Sequence, residues 1–137
     1  MHESMEGPNA EAARIRRFEW KDIGQVLEID REAFEKDSWD ELEFMRWYEN
    51  FPEGFLLAEN ESGGVSGYII CDKEGYVRSI AVRKEERRGG KGRALIKEAI
   101  ERLELKELYL HVRTSNEKAI KFYENLGFKR IRIFKGV

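Results

Sequence analysis

A glycine-rich turn is the first feature of this 137-residue chain that could do chemistry. The turn runs from Arg87 to Gly92, with the sequence RRGGKG, between a stretch of strand character and a segment with helical spacing. Backbone N–H groups at such a turn can converge on a phosphate at the start of a helix, and glycine lets the backbone approach closely. The alternative is a flexible loop whose arginines are solvated.

Two common nucleotide motifs do not match this turn. A P-loop would need glycine at Glu85 and a hydroxyl residue at Gly92, and a dinucleotide-binding turn would need glycine at Leu95. Taken by itself, the turn is therefore compatible with a phosphate site of another kind but favours the flexible loop, and its sequence context must decide.

His111 is the second chemical candidate and the one histidine beyond the first thirteen residues. Apolar residues alternate along 108–112, which places His111 on the opposite face of a predicted strand. Because histidine titrates near neutral pH, an imidazole can take a proton from an amine, directly or through water. The alternative is a strand histidine with a structural hydrogen bond.

Alternating helices and strands must position these residues. A Ser38–Glu41 capping box predicts the start of the second helix, and Gly127 is expected to end the last one. The strand at 108–112 is expected to be parallel to its neighbour. The predicted strands are 14–18, 55–58, 65–70, 76–82, 108–112 and 129–134. The second, third and fourth of these are expected to form an antiparallel meander. The predicted helices are 21–34, 38–51, 95–103 and 116–126.

Length and composition indicate one globular α/β domain. We expect a polar tail at 1–13 and a single domain at 14–137, in which about four helices flank a mixed sheet. The apolar runs are too short to span a bilayer, and the single Cys71 excludes an internal disulfide or a cysteine-based metal site. With 25 basic and 27 acidic side chains, a general nucleic-acid binder is not expected. A cytoplasmic location, without metal or membrane, is the expectation.

Two segments resemble the motifs of one enzyme family. The stretch 80–95, which begins with IAV and includes the glycine-rich turn, is similar to motif A of the GNAT N-acetyltransferases. The stretch 110–128, with the sequence LHVRTSNEKAIKFYENLGF, is similar to their motif B. With REAF at 31–34 and Trp39, the chain most resembles RimI-like N-terminal protein acetyltransferases over nearly its whole length. This resemblance implies a GNAT fold and transfer of acetyl from acetyl-CoA to an amine.

The resemblance also implies which residues bind acetyl-CoA. The backbone at 80–82 would hold the pantetheine arm, and 88–93 would hold the pyrophosphate, with Gly90 and Gly92 giving access. Asn116 would contact the cofactor, and it could also cap the last helix. Lys91 departs from the apolar residue common in the family and is expected to be solvated. The implied cofactor residues are Ile80, Ala81, Val82, Arg88, Gly89, Gly90, Lys91, Gly92, Arg93 and Asn116.

Catalytic roles follow from the same resemblance. Tyr123 matches the family tyrosine that acts as general acid towards the leaving thiolate, although its place on an apolar stripe also suits a core aromatic residue. RimI commonly has glutamate at the position of His111. Eukaryotic N-terminal acetyltransferases of the methionine-acting type have histidine there, together with a tyrosine that matches Tyr76. We therefore expect His111 as general base and Tyr76 as auxiliary base.

The identity of the acceptor stays open at this level. The leading hypothesis is direct attack by the N-terminal α-amine of a protein or peptide in a ternary complex. A lysine, a small amine, and a non-catalytic acetyl-CoA-binding scaffold are the alternatives. Because relatives continue into a seventh strand beyond the position of Val137, we also expect that strand to be missing, with the sheet edge either covered by a neighbouring subunit in a homodimer or left short.

Overall fold

The computed structural model describes residues 14–112 and 115–129. Its strands are β1 (Arg14–Arg17), β2 (Phe55–Glu59), β3 (Val65–Cys71) and β4 (Val77–Val82). Its helices are α1 (Ile23–Phe34), α2 (Glu41–Asn50), α3 (Lys91–Arg102) and α4 (Glu117–Asn125). The tail at 1–13, the strand expected at 129–134 apart from Lys129, and any seventh strand lie outside the described residues.

The strands form an antiparallel sheet in the order β1-β2-β3-β4, which confirms the predicted meander. Phe55, Leu57 and Tyr68 are buried on the face that α1 and α2 cover. Leu56 and Ile69 are buried on the opposite face, against α3 and α4. Because helices cover both faces, β3 and all of β2 except Glu59 are buried, and buried and exposed residues do not alternate along them. In the part of the chain that the structure describes, no helix is long and apolar enough to cross a membrane.

The strand predicted at 108–112 is reduced to a single parallel bridge. Val77 N donates to Tyr109 O at 2.7 Å, and Tyr109 N donates to Gly75 O at 2.8 Å. The parallel direction is confirmed, but no ladder continues over 110–112. The reason is a bulge in β4, where Ile70 pairs with Ser79 and Cys71 with Val77, so that Arg78 is an extra residue. A bulge bends and twists its strand, and β4 therefore separates from the segment after Tyr109.

The N-cap of the second helix lies two residues later than the sequence predicts. This N-cap is Asp40, whose carboxylate accepts from Glu43 N at 2.9 Å, while Glu43 Oε1 accepts from Asp40 N at 3.1 Å. The Ser38–Glu41 capping box was therefore wrong. Trp39 N donates to Asp30 Oδ2 at 2.6 Å, which holds the chain extended up to Asp40.

The last helix has both predicted ends. Asn116 Oδ1 accepts from Ala119 N at 3.2 Å, so Asn116 is its N-cap. Gly127 follows the helix with φ +109°, the left-handed conformation that glycine adopts without strain.

Candidate active site

The outer edge of β4 carries backbone groups that face away from β3. Arg83 N donates to Ser66 O at 2.7 Å, so Arg83 and, by alternation, Ala81 direct their polar groups towards β3. Ile80 and Val82 direct theirs to the opposite edge, where Val82 O accepts from Arg87 Nε at 2.9 Å. The edge available for a ligand is therefore built by Ile80 and by the N–H of Val82, whereas Ala81 packs in the core.

The glycine-rich turn leads directly into the first turn of α3. Residues Lys84–Gly89 form a 3-10 turn, and Gly90, at φ +81°, connects it to Lys91. A Cβ added at Gly89 or Gly90 would meet nothing within 4 Å. The first N–H groups of a helix have no partner within the helix and carry the positive end of its dipole. The turn thus fits an anionic group such as a pyrophosphate.

Gly92 has a packing role that the sequence pattern did not reveal. It is buried, and a Cβ at this position would lie 2.7 Å from Leu126 Cδ2 at the end of α4. Because glycine has no side chain, α4 can approach α3 at this point. The backbone N–H of Gly92 remains part of the glycine-rich turn. Gly92 therefore has a role in helix packing in addition to any contact with a ligand.

Replacing Gly92 by valine is expected to lower the free energy of unfolding by about 1–3 kcal/mol, because the side chain overpacks the contact with Leu126. Urea denaturation of the whole protein measures this change. Gly89→Val is the matched control, and its open surroundings predict a change within about 0.5 kcal/mol. Equal stability of the two variants would contradict the packing role.

Two arginines of the turn region are held by protein groups. Arg87 Cζ lies 5.9 Å from the centre of the Phe122 ring. Arg93 Nη2 donates to Asn125 O at 2.7 Å, which places a cation at the C-terminal end of α4. Arg88, in contrast, is exposed beside the turn. Of these side chains, Arg88 is the one that the described contacts leave at the surface for a phosphate.

Lys91 is not solvated, contrary to the sequence-based expectation. Its side chain is 12% exposed, and Nζ lies 2.8 Å from Glu86 Oε1 and 3.0 Å from Ser66 Oγ. The reason is that the first turn of α3 lies over the end of β3, where fully buried Ser66 offers an oxygen.

Tyr123 is partly buried between α4 and the sheet. Its ring centre lies 5.4 Å from that of Phe122 and 6.2 Å from that of Phe128. Burial raises the pKa of the Tyr123 phenol above its ordinary value.

Tyr76 and His111 are brought together, as their proposed roles require. The bridge at Tyr109 places the two rings with their centres 5.5 Å apart and their planes at 67°. The Tyr109 ring lies 5.4 Å from Tyr76 on the other side. All three side chains are exposed, whereas Leu108 and Leu110 pack inward, so the alternation expected along this segment holds.

A buried polar chain near this edge was missed by the sequence reasoning. The hydroxyl of fully buried Tyr68 lies 2.7 Å from Asp30 Oδ1 and 2.8 Å from Ser79 Oγ of β4. Burial raises the pKa of Asp30, and burial followed by the nearby Asp30 raises that of Tyr68. The available signal was an aspartate next to the apolar stripe of α1. These hydrogen bonds link β4 to Trp39, because the backbone N–H of Trp39 donates to the same Asp30 carboxylate.

Arg78, the bulged residue of β4, is also a finding of the structure. Arg78 Nη2 lies 2.6 Å from Oδ2 of buried Asp72. Its guanidinium stands 5.7 Å from the Trp47 ring and 5.9 Å from the Tyr76 ring. An arginine between two aromatic rings thus borders the pair formed by Tyr76 and His111.

The sequence also matches a known protein family. Residues 20–128 match the acetyltransferase (GNAT) family. The chain belongs to this family. It is an acetyltransferase of the GNAT fold that uses acetyl-CoA, as the sequence motifs predicted. The turn and strand edge described above fit that donor.

Several similar proteins carry the names of N-acetyltransferases. An N-alpha-acetyltransferase of Sulfurisphaera tokodaii is 30% identical in an alignment that covers 97% of this chain and 90% of that protein. The structure of Ard1 from Thermoplasma volcanium is similar with a TM-score of 0.74 and 28% identity, over 88% of this chain and 85% of that one. The structure of the ribosomal-protein-S18-alanine N-acetyltransferase from Escherichia coli is similar with a TM-score of 0.67 and 29% identity, over 88% of this chain and 79% of that one.

Proposed function

We propose that this GNAT enzyme acetylates the N-terminal α-amine of proteins or peptides. The observation that carries the proposal is the contact between the exposed rings of Tyr76 and His111. The two rings lie where the segment after Tyr109 separates from β4. The relatives named as acetyltransferases of α-amines and of a ribosomal alanine support this acceptor. An exposed pair beside the outer edge of β4 suits an acceptor that enters as the end of a chain.

The donor side is assigned to β4 and the turn. Acetyl-CoA supplies an activated thioester. The backbone of Ile80 and Val82 would bind its pantetheine arm along the outer edge of β4, and the N–H groups of 90–93 its phosphates. Asn116 can serve both of its expected roles, since its Oδ1 caps α4 and its amide N–H groups remain donors.

The proton transfers are assigned to the three predicted side chains. His111 takes a proton from the acceptor amine so that the nitrogen can attack, and Tyr76, in contact with the imidazole, assists it. Tyr123 is protonated at neutral pH, as an ordinary tyrosine is, and burial raises its pKa further, so it carries a proton that it can donate to a departing thiolate.

A panel of acceptors tests the proposal. The whole protein is incubated with acetyl-CoA and with peptides that differ in their first residue, an N-blocked peptide with a free lysine, or a polyamine. We expect kcat/KM for the best free N-terminus to exceed that for the blocked lysine peptide by about 100-fold or more, as for a substrate that the site positions. Preference for lysine or polyamine would replace the acceptor, and CoA binding without turnover would indicate a scaffold.

Two further expectations belong to this proposal. We place the enzyme in the cytoplasm, where acetyl-CoA and new protein N-termini meet. The homodimer expected from the sequence depends on residues beyond the described ones, and light scattering of the whole protein tests it. A monomer at all concentrations would exclude pairing at the sheet edge.

A further inference from the structure

A closed hydrogen-bond triangle lies behind the glycine-rich turn. Lys91 Nζ donates to Glu86 Oε1 at 2.8 Å and to Ser66 Oγ at 3.0 Å, and Ser66 Oγ donates to the same Glu86 oxygen at 2.6 Å. Glu86 and Lys91 flank residues 87–90 in the chain, and Ser66 belongs to β3. We call Ser66, Glu86 and Lys91 the latch, since their contacts close the turn and attach it to the sheet.

The charges in the latch are compensated locally. Burial opposes the charge of Glu86, but hydrogen bonds from Lys91 and Ser66 outweigh it, so the pKa of Glu86 is lowered and the carboxylate stays ionised. A lysine in the first turn of a helix is unfavourable beside the positive end of the helix dipole. Glu86 relieves that repulsion, and Lys91 directs two of its three donors at the latch.

Besides the latch, the turn is held by the 3-10 conformation of Lys84–Gly89 and by contacts of Arg87. Arg87 Nε binds Val82 O at its beginning, and beyond it Gly89 and Gly90 have open space around them. Two adjacent glycines permit many backbone conformations, whereas phosphate binding needs one in which the N–H groups converge. The latch spans this permissive segment and restricts it from behind.

We propose that Lys91 and Glu86 are positioning residues for acetyl-CoA, which hold the turn in its phosphate-binding shape without touching the phosphate. This inference rests on the assignment of the turn to the pyrophosphate. It gives the departure from the family's apolar residue a role that neither a solvated lysine nor a phosphate-binding lysine has.

The sign of the Glu86→Gln effect tests the inference. CoA binding to the whole protein is measured by calorimetry for the wild type, Lys91→Met, Glu86→Gln and the double variant. Each single variant is expected to bind CoA about tenfold more weakly, as when one charge-assisted hydrogen bond that preorganises a site is lost, and the double variant equally weakly. Because only the site's shape is affected, kcat at saturating acetyl-CoA should stay within about twofold.

A lysine that binds phosphate directly predicts the opposite sign. Glu86→Gln would then release Lys91 towards the ligand, and CoA would bind as tightly as in the wild type or more tightly, which overturns the latch. Lys97→Met, an exposed lysine of α3, and Glu85→Gln, an exposed neighbour in the turn, are matched controls with unchanged affinity. Ser66→Ala, a change of one atom, gives a second disruption of the latch, and an unchanged affinity in that variant counts against it.

Failure of the site assignment gives a different result. Gly90→Val obstructs the open side of the turn and is strained at φ +81°. If it binds CoA like the wild type, the turn is not the phosphate site and the inference falls with that assignment. If Gly90→Val weakens binding while the latch variants do not, the assignment stands and the latch alone is wrong.

Discussion

Tyr123→Phe is expected to lower kcat for acetyl transfer by about 100-fold, at the lower end of the usual contribution of a general acid. The ring keeps its packing against Phe122 and Phe128, so the variant should fold normally and bind CoA within about twofold of the wild type. Burial raises the pKa of the phenol, so the acid stays protonated through the neutral range and is lost only above the pH at which an exposed tyrosine ionises. Steady-state kinetics together with calorimetry separate the two effects.

A matched control removes a hydroxyl elsewhere. Tyr48 is partly buried against Phe18 and Trp20, on the face of the sheet opposite Tyr123. Tyr48→Phe is expected to leave kcat unchanged. An unchanged kcat in Tyr123→Phe as well would remove Tyr123 from the acid role and leave it as a core aromatic residue.

His111→Phe is expected to lower kcat/KM for the acceptor by about 100-fold, because the imidazole that removes the amine proton is gone. Phenylalanine keeps a ring against Tyr76, so the loss reports on proton transfer more than on packing. The pH profile of the variant should follow the acceptor amine alone, with rates that recover as pH rises and the free amine supplies itself. Kinetics between pH 6 and pH 9 measure this shape.

Tyr76→Phe refines the assignment of the base. Because Tyr76 is an auxiliary group, Tyr76→Phe should lower kcat/KM less than His111→Phe does. The double variant should lower it little more than His111→Phe alone, because the two side chains act as one unit. If His111→Phe keeps the wild-type rate and pH profile, the histidine is structural. The base role would then pass to water or to Tyr76.

The sequence indicated the elements of the proposed donor site because that site is made of backbone. A strand, a turn and a helix start follow from local patterns, and the resemblance of 80–95 and 110–128 to two family motifs pointed to them. The packing role of Gly92 was invisible, since it depends on Leu126, which is distant in sequence. For the same reason Lys91 was misjudged, because its partner Ser66 lies on β3, 25 residues earlier in the chain.

Local patterns failed where two elements compete or separate. Ser38 and Asp40 both stand three residues before a glutamate, and the bond from Trp39 to Asp30 decided in favour of Asp40. The strand after Leu108 has ideal alternation, yet the bulge at Arg78 ends its pairing at Tyr109. Among the described residues, that separation leaves the outer edge of β4 beyond Val77 without a pairing strand, so the failed prediction coincides with the proposed binding site.

The most direct test of the account uses one peptide that carries both a free N-terminus and an internal lysine. After reaction with acetyl-CoA and this enzyme, fragment-ion mass spectrometry locates the acetyl group. We expect a single acetyl group on the N-terminal α-amine, with the lysine unmodified. In Tyr123→Phe, that product should be lost over the same reaction time. Acetyl on the lysine side chain, with the N-terminus left free, would contradict the account.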